Sequence, residues 1–152
     1  MKYEGMVHAL EEIQRLLKPG GCLIDIHPVR EAPLIKVYQE DRTLLAEPSP
    51  VYTDEDYRQA DDALAQVVRR RLFVVEGSSE FDFLIYGSSV AELADFLAQA
   101  NAYDDRPADE VETARKFELA ARVEAIMRAA GAGADVAYHE RGRMACLRPI
   151  KS

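Results

Sequence analysis

Residues 15–29 read Arg-Leu-Leu-Lys-Pro-Gly-Gly-Cys-Leu-Ile-Asp-Ile-His-Pro-Val. Upstream, Met6, Val7, Leu10, Ile13, Leu16 and Leu17 recur every three or four residues, which predicts an amphipathic helix up to Lys18. Pro19 disfavours the helical state in the residue before it, and Gly20-Gly21 suits a left-handed exit. Cys22–Ile26 follows as an apolar run with only Asp25 polar, so it reads as a short strand with both faces largely covered. The direction decides what the glycines do. A phosphate-binding loop runs from strand into helix and aims the free N–H groups of the helix start at the anion. Here the helix comes first, and the loop meets the negative end of its dipole. The glycine pair is a corner.

Downstream, Leu34–Tyr38 and Thr43–Ala46 are candidate short strands, and Pro48-Ser49-Pro50 marks a loop. Thr53 reads as an N-cap, with Asp54, Glu55 and Asp56 in the first turn of a helix over about 54–69. Leu72–Glu76 and Phe81–Tyr86 bracket Gly77-Ser78-Ser79 and predict a hairpin. Ser89 with Glu92 forms a capping box for a helix through about Ala100. Pro107 opens a longer helix to about Ala130, closed by Gly131. Ala134–Glu140 and Arg143–Leu147 read as a last strand pair around Arg141-Gly142.

The chain has 152 residues, 48% of them hydrophobic and 30% charged, which fits a single domain over residues 1–152. Its formal net charge of -8 argues against a nucleic-acid or anionic-membrane surface, since both need an excess of Lys and Arg. The one basic run, Arg69-Arg70-Arg71, suits a helix C-terminus. No apolar stretch approaches a membrane span and no signal peptide is evident, so the expected location is cytoplasmic. Cys22 and Cys146 both lie in apolar segments and read as buried thiols in a reducing compartment. No CxxC, HExxH, GxGxxG, GxxxxGK[ST] or GxSxG occurs in the sequence.

One resemblance adds to this. Residues 9–21, Ala-Leu-Glu-Glu-Ile-Gln-Arg-Leu-Leu-Lys-Pro-Gly-Gly, with the Cys22–Ile26 strand, resemble the late signature of class I S-adenosylmethionine-dependent methyltransferases of the type 11-like kind. In that family a helix ending in Leu-Lys-Pro-Gly-Gly leads into the fifth strand of a seven-stranded Rossmann-like sheet. The rest of the chain follows in a compatible order, from Phe81-Asp82-Phe83 to a terminal Leu147-Arg148-Pro149, but only residues 9–26 are of motif quality. The resemblance implies an α/β (or α+β) fold: a small mixed sheet of about five strands with about four helices, like the C-terminal half of that family's fold.

The family holds S-adenosylmethionine on a glycine-rich loop after its first strand and an acidic residue ending its second. Both precede the helix with which this chain opens, so no cofactor-binding residue is carried over. The expected function is therefore a methyltransferase-like domain with no S-adenosylmethionine site of its own, non-catalytic alone, acting as a dimeric or partner-binding module. The alternative is the substrate-side component of a methyltransferase whose N-terminal half is supplied separately. The family's fifth strand lies between the fourth and the seventh, so Cys22–Ile26 would present an uncovered edge. A local strand from residues 34–46, a second copy, or a protein supplying the missing half could cover it. A homodimer is the expectation. The same strand order implies that Cys22 and Cys146 sit on neighbouring strands.

Candidate site residues are few. His27 follows the C-terminal end of a strand, where open α/β sheets collect ligand groups, and Arg30 is close by. Both are candidate substrate-binding residues, against the plainer reading of polar loop residues. His139 and Glu140 could act as an acid–base pair only if the backbone bent, because adjacent strand residues face opposite ways. His8 falls on or beside the apolar stripe of the first helix and reads as a partly buried structural residue. Asp61-Asp62 with Asp54-Glu55-Asp56 reads as a solvated helix face before it reads as a cation site. No catalytic residue and no metal ligand is assigned.

Overall fold

A computed structural model describes residues 2–102, 106, 107 and 109–152. Its elements are α1 (Tyr3–Leu16), β1 (Leu23–Pro28), β2 (Leu34–Gln39), β3 (Arg42–Pro48), α2 (Glu55–Arg69), β4 (Phe73–Gly87), α3 (Val90–Ala100), α4 (Glu110–Ala130) and β5 (Ala134–Pro149). Four helices and a five-stranded sheet form the small α/β architecture that the sequence pattern led us to expect. The sheet is antiparallel in character: β1 with β5, β2 with β5 and β2 with β3 all run in opposite directions. Glu40-Asp41 joins β2 to β3, and so short a connection serves only antiparallel neighbours. Glu40 takes the left-handed conformation, with φ of 54°, to close that turn.

The chain gathers into two compact units. The first comprises Met1–Glu31, Thr53–Asp82 and Arg141–Ser152. Its core is Val67, Phe73, Ala145 and Leu147, onto which Val7, Leu10, Ile13 and Leu17 pack. The α1 stripe thus meets α2 and the inward residues of β4 and β5. Phe73 and Leu147 are each only 1% exposed, and burying a side chain of this size contributes roughly 1.5–3 kcal/mol. The second unit comprises Ala32–Tyr52 and Phe83–Glu140. Val37 of β2 and Val136 of β5 meet Leu93 of α3 and Leu119 and Val123 of α4 there.

Two expected turns are absent. The hairpin placed at Gly77-Ser78-Ser79 is instead the middle of β4, one strand of 15 residues. The strand pair placed around Arg141-Gly142 is likewise one strand, β5, of 16 residues. Neither Gly77 nor Gly142 takes a positive φ, so neither makes a turn. Gly142 serves another purpose: a Cβ there would come within 2.5 Å of the Phe81 ring. An aromatic ring laid over a strand glycine protects the backbone that glycine leaves bare.

Helix boundaries follow the capping chemistry. Ser89 Oγ accepts from the Glu92 amide at 3.1 Å, while the Glu92 carboxylate accepts from Ser88 rather than from Ser89. The helix expected from Pro107 begins at Glu110, because Asp109 is its N-cap and accepts from the Val111 amide at 2.8 Å. Ala108, within that expected span, lies outside the described residues. Gly131 closes α4 with a φ of 79°, as its sequence position suggested.

The corner at Gly20-Gly21 leads into β1 as expected, but β1 is not covered on both faces. Leu23, Asp25 and His27 turn inward, whereas Cys22, Ile24 and Ile26 are exposed. Nor does the 34–46 segment cover its edge. β2 pairs with β3 and with β5, and among the described residues β1 pairs with β5 alone. The cysteines correct a second expectation: Cys22 is exposed and Cys146 half-buried, because both lie on this outward face.

Candidate functional site

Asp25 and His27 are two residues apart on a strand, so both side chains leave β1 on the same face. In the first unit that face looks toward α2, which supplies Asp61. His27 Nδ1 lies 2.6 Å from Asp25 Oδ2, and its Nε2 lies 2.8 Å from Asp61 Oδ1. The imidazole thus spans two carboxylates, one from its own strand and one from the helix above it. Its side chain is only 12% exposed, so solvent screens these contacts weakly.

The hydrogen bond to Asp25 is the largest influence on His27. With the bond to Asp61 and the charge of both carboxylates, it outweighs the partial burial that favours the neutral ring, and raises the pKa above the ordinary imidazole value. A protonated ring donates from both nitrogens, which is what two carboxylate acceptors require.

The charges continue beyond the histidine. Arg143, directly opposite His27 in the β1–β5 register, lies 3.8 Å from Asp61 and 3.4 Å from Glu80 of β4. Glu80 also accepts from Arg141, which reaches Glu31 at 3.5 Å. A chain of alternating charge, Asp25–His27–Asp61–Arg143–Glu80–Arg141–Glu31, therefore ties β1, α2, β4 and β5 together. Beside it opens a groove of about 630 Å³, lined by Asp25, His27, Asp61, Glu80 and Arg143 together with apolar residues that include Leu64, Val68 and Val75. It lies beside His27, toward the C-terminal end of β1.

His27 is accordingly inside the candidate site, but Arg30 is not. Arg30 turns to Asp54, 3.0 Å away, and lines no part of the groove. His139 and Glu140 sit within β5, where adjacent residues face opposite ways. His8 is not partly buried as expected: it lies 3.7 Å from Glu11 on α1, with its side chain largely exposed. Among the described residues no group of three or more His, Cys, Asp or Glu side chains is arranged to hold a metal ion. The acidic cluster on α2 is split instead: Asp61 serves His27 and Asp54 serves Arg30.

The Asp-x-His spacing in residues 25–27 was a signal for part of this site. Asp61, Glu80 and Arg143 carried no local signal, since only the packing of α2, β4 and β5 brings them together. Chemically the arrangement is a clamp. With both ring nitrogens engaged, His27 is not free to take a proton from a substrate while Asp25 and Asp61 stay seated.

No protein-family model, no curated protein and no solved structure matches this chain. Among the described residues, no helix is long and apolar enough to cross a membrane.

Proposed function

We propose that this chain is a methyltransferase-like module that binds no S-adenosylmethionine by itself and works by pairing through the free edge of β1, in the first instance with a second copy of itself. The observation that carries the reading is the state of β1. One edge is bonded to β5, the other has no strand among the described residues, and the outer face shows Ile24 and Ile26 at 49% and 61% exposure. Met144, opposite Ile26, is 42% exposed and extends the same apolar surface onto β5. An uncapped strand with an apolar face is a template for further pairing. A two-fold axis beside β1 joins like to like and leaves no new edge, which is why isologous pairs are common.

The methyltransferase part rests on the Leu-Lys-Pro-Gly-Gly corner and on pairing. β1, the strand after that corner, lies antiparallel to the last strand, β5, as the fifth strand lies beside the seventh in that family. The chain offers no glycine-rich strand–loop–helix element for the cofactor. Titration calorimetry of the purified chain with S-adenosylmethionine tests this: no heat of binding is expected, and micromolar binding overturns it.

The groove favours a second reading, the substrate-side component of a methyltransferase completed by another chain. Its Asp25–His27–Asp61 clamp stands at the strand end where α/β enzymes gather ligand groups. That reading predicts that the partner carrying the cofactor site co-purifies with this chain and loses it when β1 is disrupted.

A further inference from the structure

Cys22 and Cys146 lie on the same outer face of the first unit. Ile24 faces Cys146 across the β1–β5 ladder, so Cys22 is its diagonal neighbour on the same face. The Cys146 thiol donates toward Glu76 Oε2 at 3.8 Å. Arg148, on the same face of β5, bonds Glu76 at 2.8 Å and donates to the Gly20 and Gly21 carbonyls that precede Cys22. Cys22 is exposed and Cys146 half-buried.

From this juxtaposition we propose that Cys22 and Cys146 form a cross-strand dithiol that oxidises to an intramolecular disulfide on exposure to a small-molecule disulfide such as oxidised glutathione.

The exposed Cys22 reacts first. Its thiolate attacks one sulfur of the glutathione disulfide and expels a glutathione thiolate, leaving a mixed disulfide on Cys22. Cys146 then attacks the Cys22 sulfur, forms the Cys22–Cys146 bond and expels the second glutathione. The two cysteine protons pass through solvent to the two departing thiolates, so two protein thiols are oxidised and one glutathione disulfide is reduced. Burial comes first among the causes that hold the Cys146 thiol above its usual pKa, followed by the adjacent Cys22 thiol and Glu76. That order of reactivity makes Cys146 the resolving partner.

Backbone geometry sets one demand. Diagonal neighbours in a sheet have Cα atoms about 7–8 Å apart, slightly more than the roughly 4.4–6.8 Å usual for a disulfide. Cys22 precedes the first paired residue of β1 and follows Gly20-Gly21, with Gly20 at a φ of 82°, so the strand entry can supply the small approach without unpicking the ladder.

The test is incubation of the purified chain with oxidised glutathione, followed by intact-mass and peptide mass spectrometry. The wild type should lose two hydrogens and yield linked Cys22 and Cys146 peptides. Cys146→Ser should stop as the glutathione adduct on Cys22, at a rate within about twofold of wild type. Cys22→Ser should react at least tenfold more slowly. Persistent glutathione on either cysteine of the wild type, a disulfide between two copies, or two unreacted thiols would each overturn the proposal. The wild-type peptide map decides even if a variant fails to fold.

Discussion

Replacing His27 with glutamine should remove a pH-dependent share of stability. The wild-type ring bridges Asp25 and Asp61 at 2.6 and 2.8 Å, with the two carboxylates only 23% and 28% exposed. Each charge-assisted hydrogen bond contributes about 1.5–3 kcal/mol, and desolvation of the ions offsets part of that. A net loss of about 2–3 kcal/mol near pH 6 follows for His27→Gln, since a neutral amide cannot replace two charged donors. The sign with pH comes from the raised pKa of His27. The folded chain holds this proton more tightly than the unfolded chain. The added stability is thus complete below the ordinary imidazole value of about 6.5, and is lost as pH rises through the raised folded value. Within that window the loss proceeds at no more than about 1.4 kcal/mol per pH unit. Urea unfolding of both proteins, followed by circular dichroism from pH 6 to pH 9, gives the difference directly. The gap should be widest at pH 6 and shrink to below about 1 kcal/mol at the alkaline end, where both residues are neutral. A gap that stays constant, or widens as pH rises, refutes the imidazolium clamp.

Three further outcomes follow from packing and capping. Leu147→Ala should cost about 2–5 kcal/mol in urea unfolding, because the side chain is 1% exposed at the centre of the first unit's core. Gly142→Ala should cost about 1–3 kcal/mol by pushing a methyl into the Phe81 ring, and most of that penalty should vanish in a Phe81→Ala background, as a double-mutant cycle would read. Asp109→Ala should cost about 1 kcal/mol and fray the first turn of α4, visible as faster amide exchange at Val111 and Glu112.

Local chemistry was legible from the sequence wherever it acts through near neighbours. The Leu17-to-Gly21 corner, the Ser89 cap and the Gly131 stop each depend on residues within one helical turn, and each stands where its pattern placed it. Gly77 and Gly142 misled because glycine in a strand has two uses, turning the chain or admitting a neighbour's side chain. Only the pairing of β4 with β5, which puts Phe81 over Gly142, tells them apart. β1 misled for a related reason. A run with only Asp25 polar suggests burial on both faces, yet it alternates Ile24 and Ile26 outward with Leu23 and Asp25 inward, and no local rule shows that the outward face lacks a cover. At the candidate site, His27 was visible as a polar residue at a strand end. Asp61, with Arg143 and Glu80 beyond it, comes from other elements, at separations that no spacing rule spans.

The proposed role of β1 stands or falls on self-association. The exposed part of Ile26, counted on two copies at about 1.5–3 kcal/mol for a fully buried isoleucine, amounts to about 2–4 kcal/mol. Ile26→Asp should therefore weaken a β1-mediated dimer on the order of 30- to 700-fold, before any added charge repulsion. Multi-angle light scattering of the wild type and of Ile26→Asp at micromolar concentration is the direct measurement. The account predicts a wild-type mass of twice 17.0 kDa and a variant at the single-chain mass. A wild-type monomer, or a dimer that Ile26→Asp leaves intact, contradicts it.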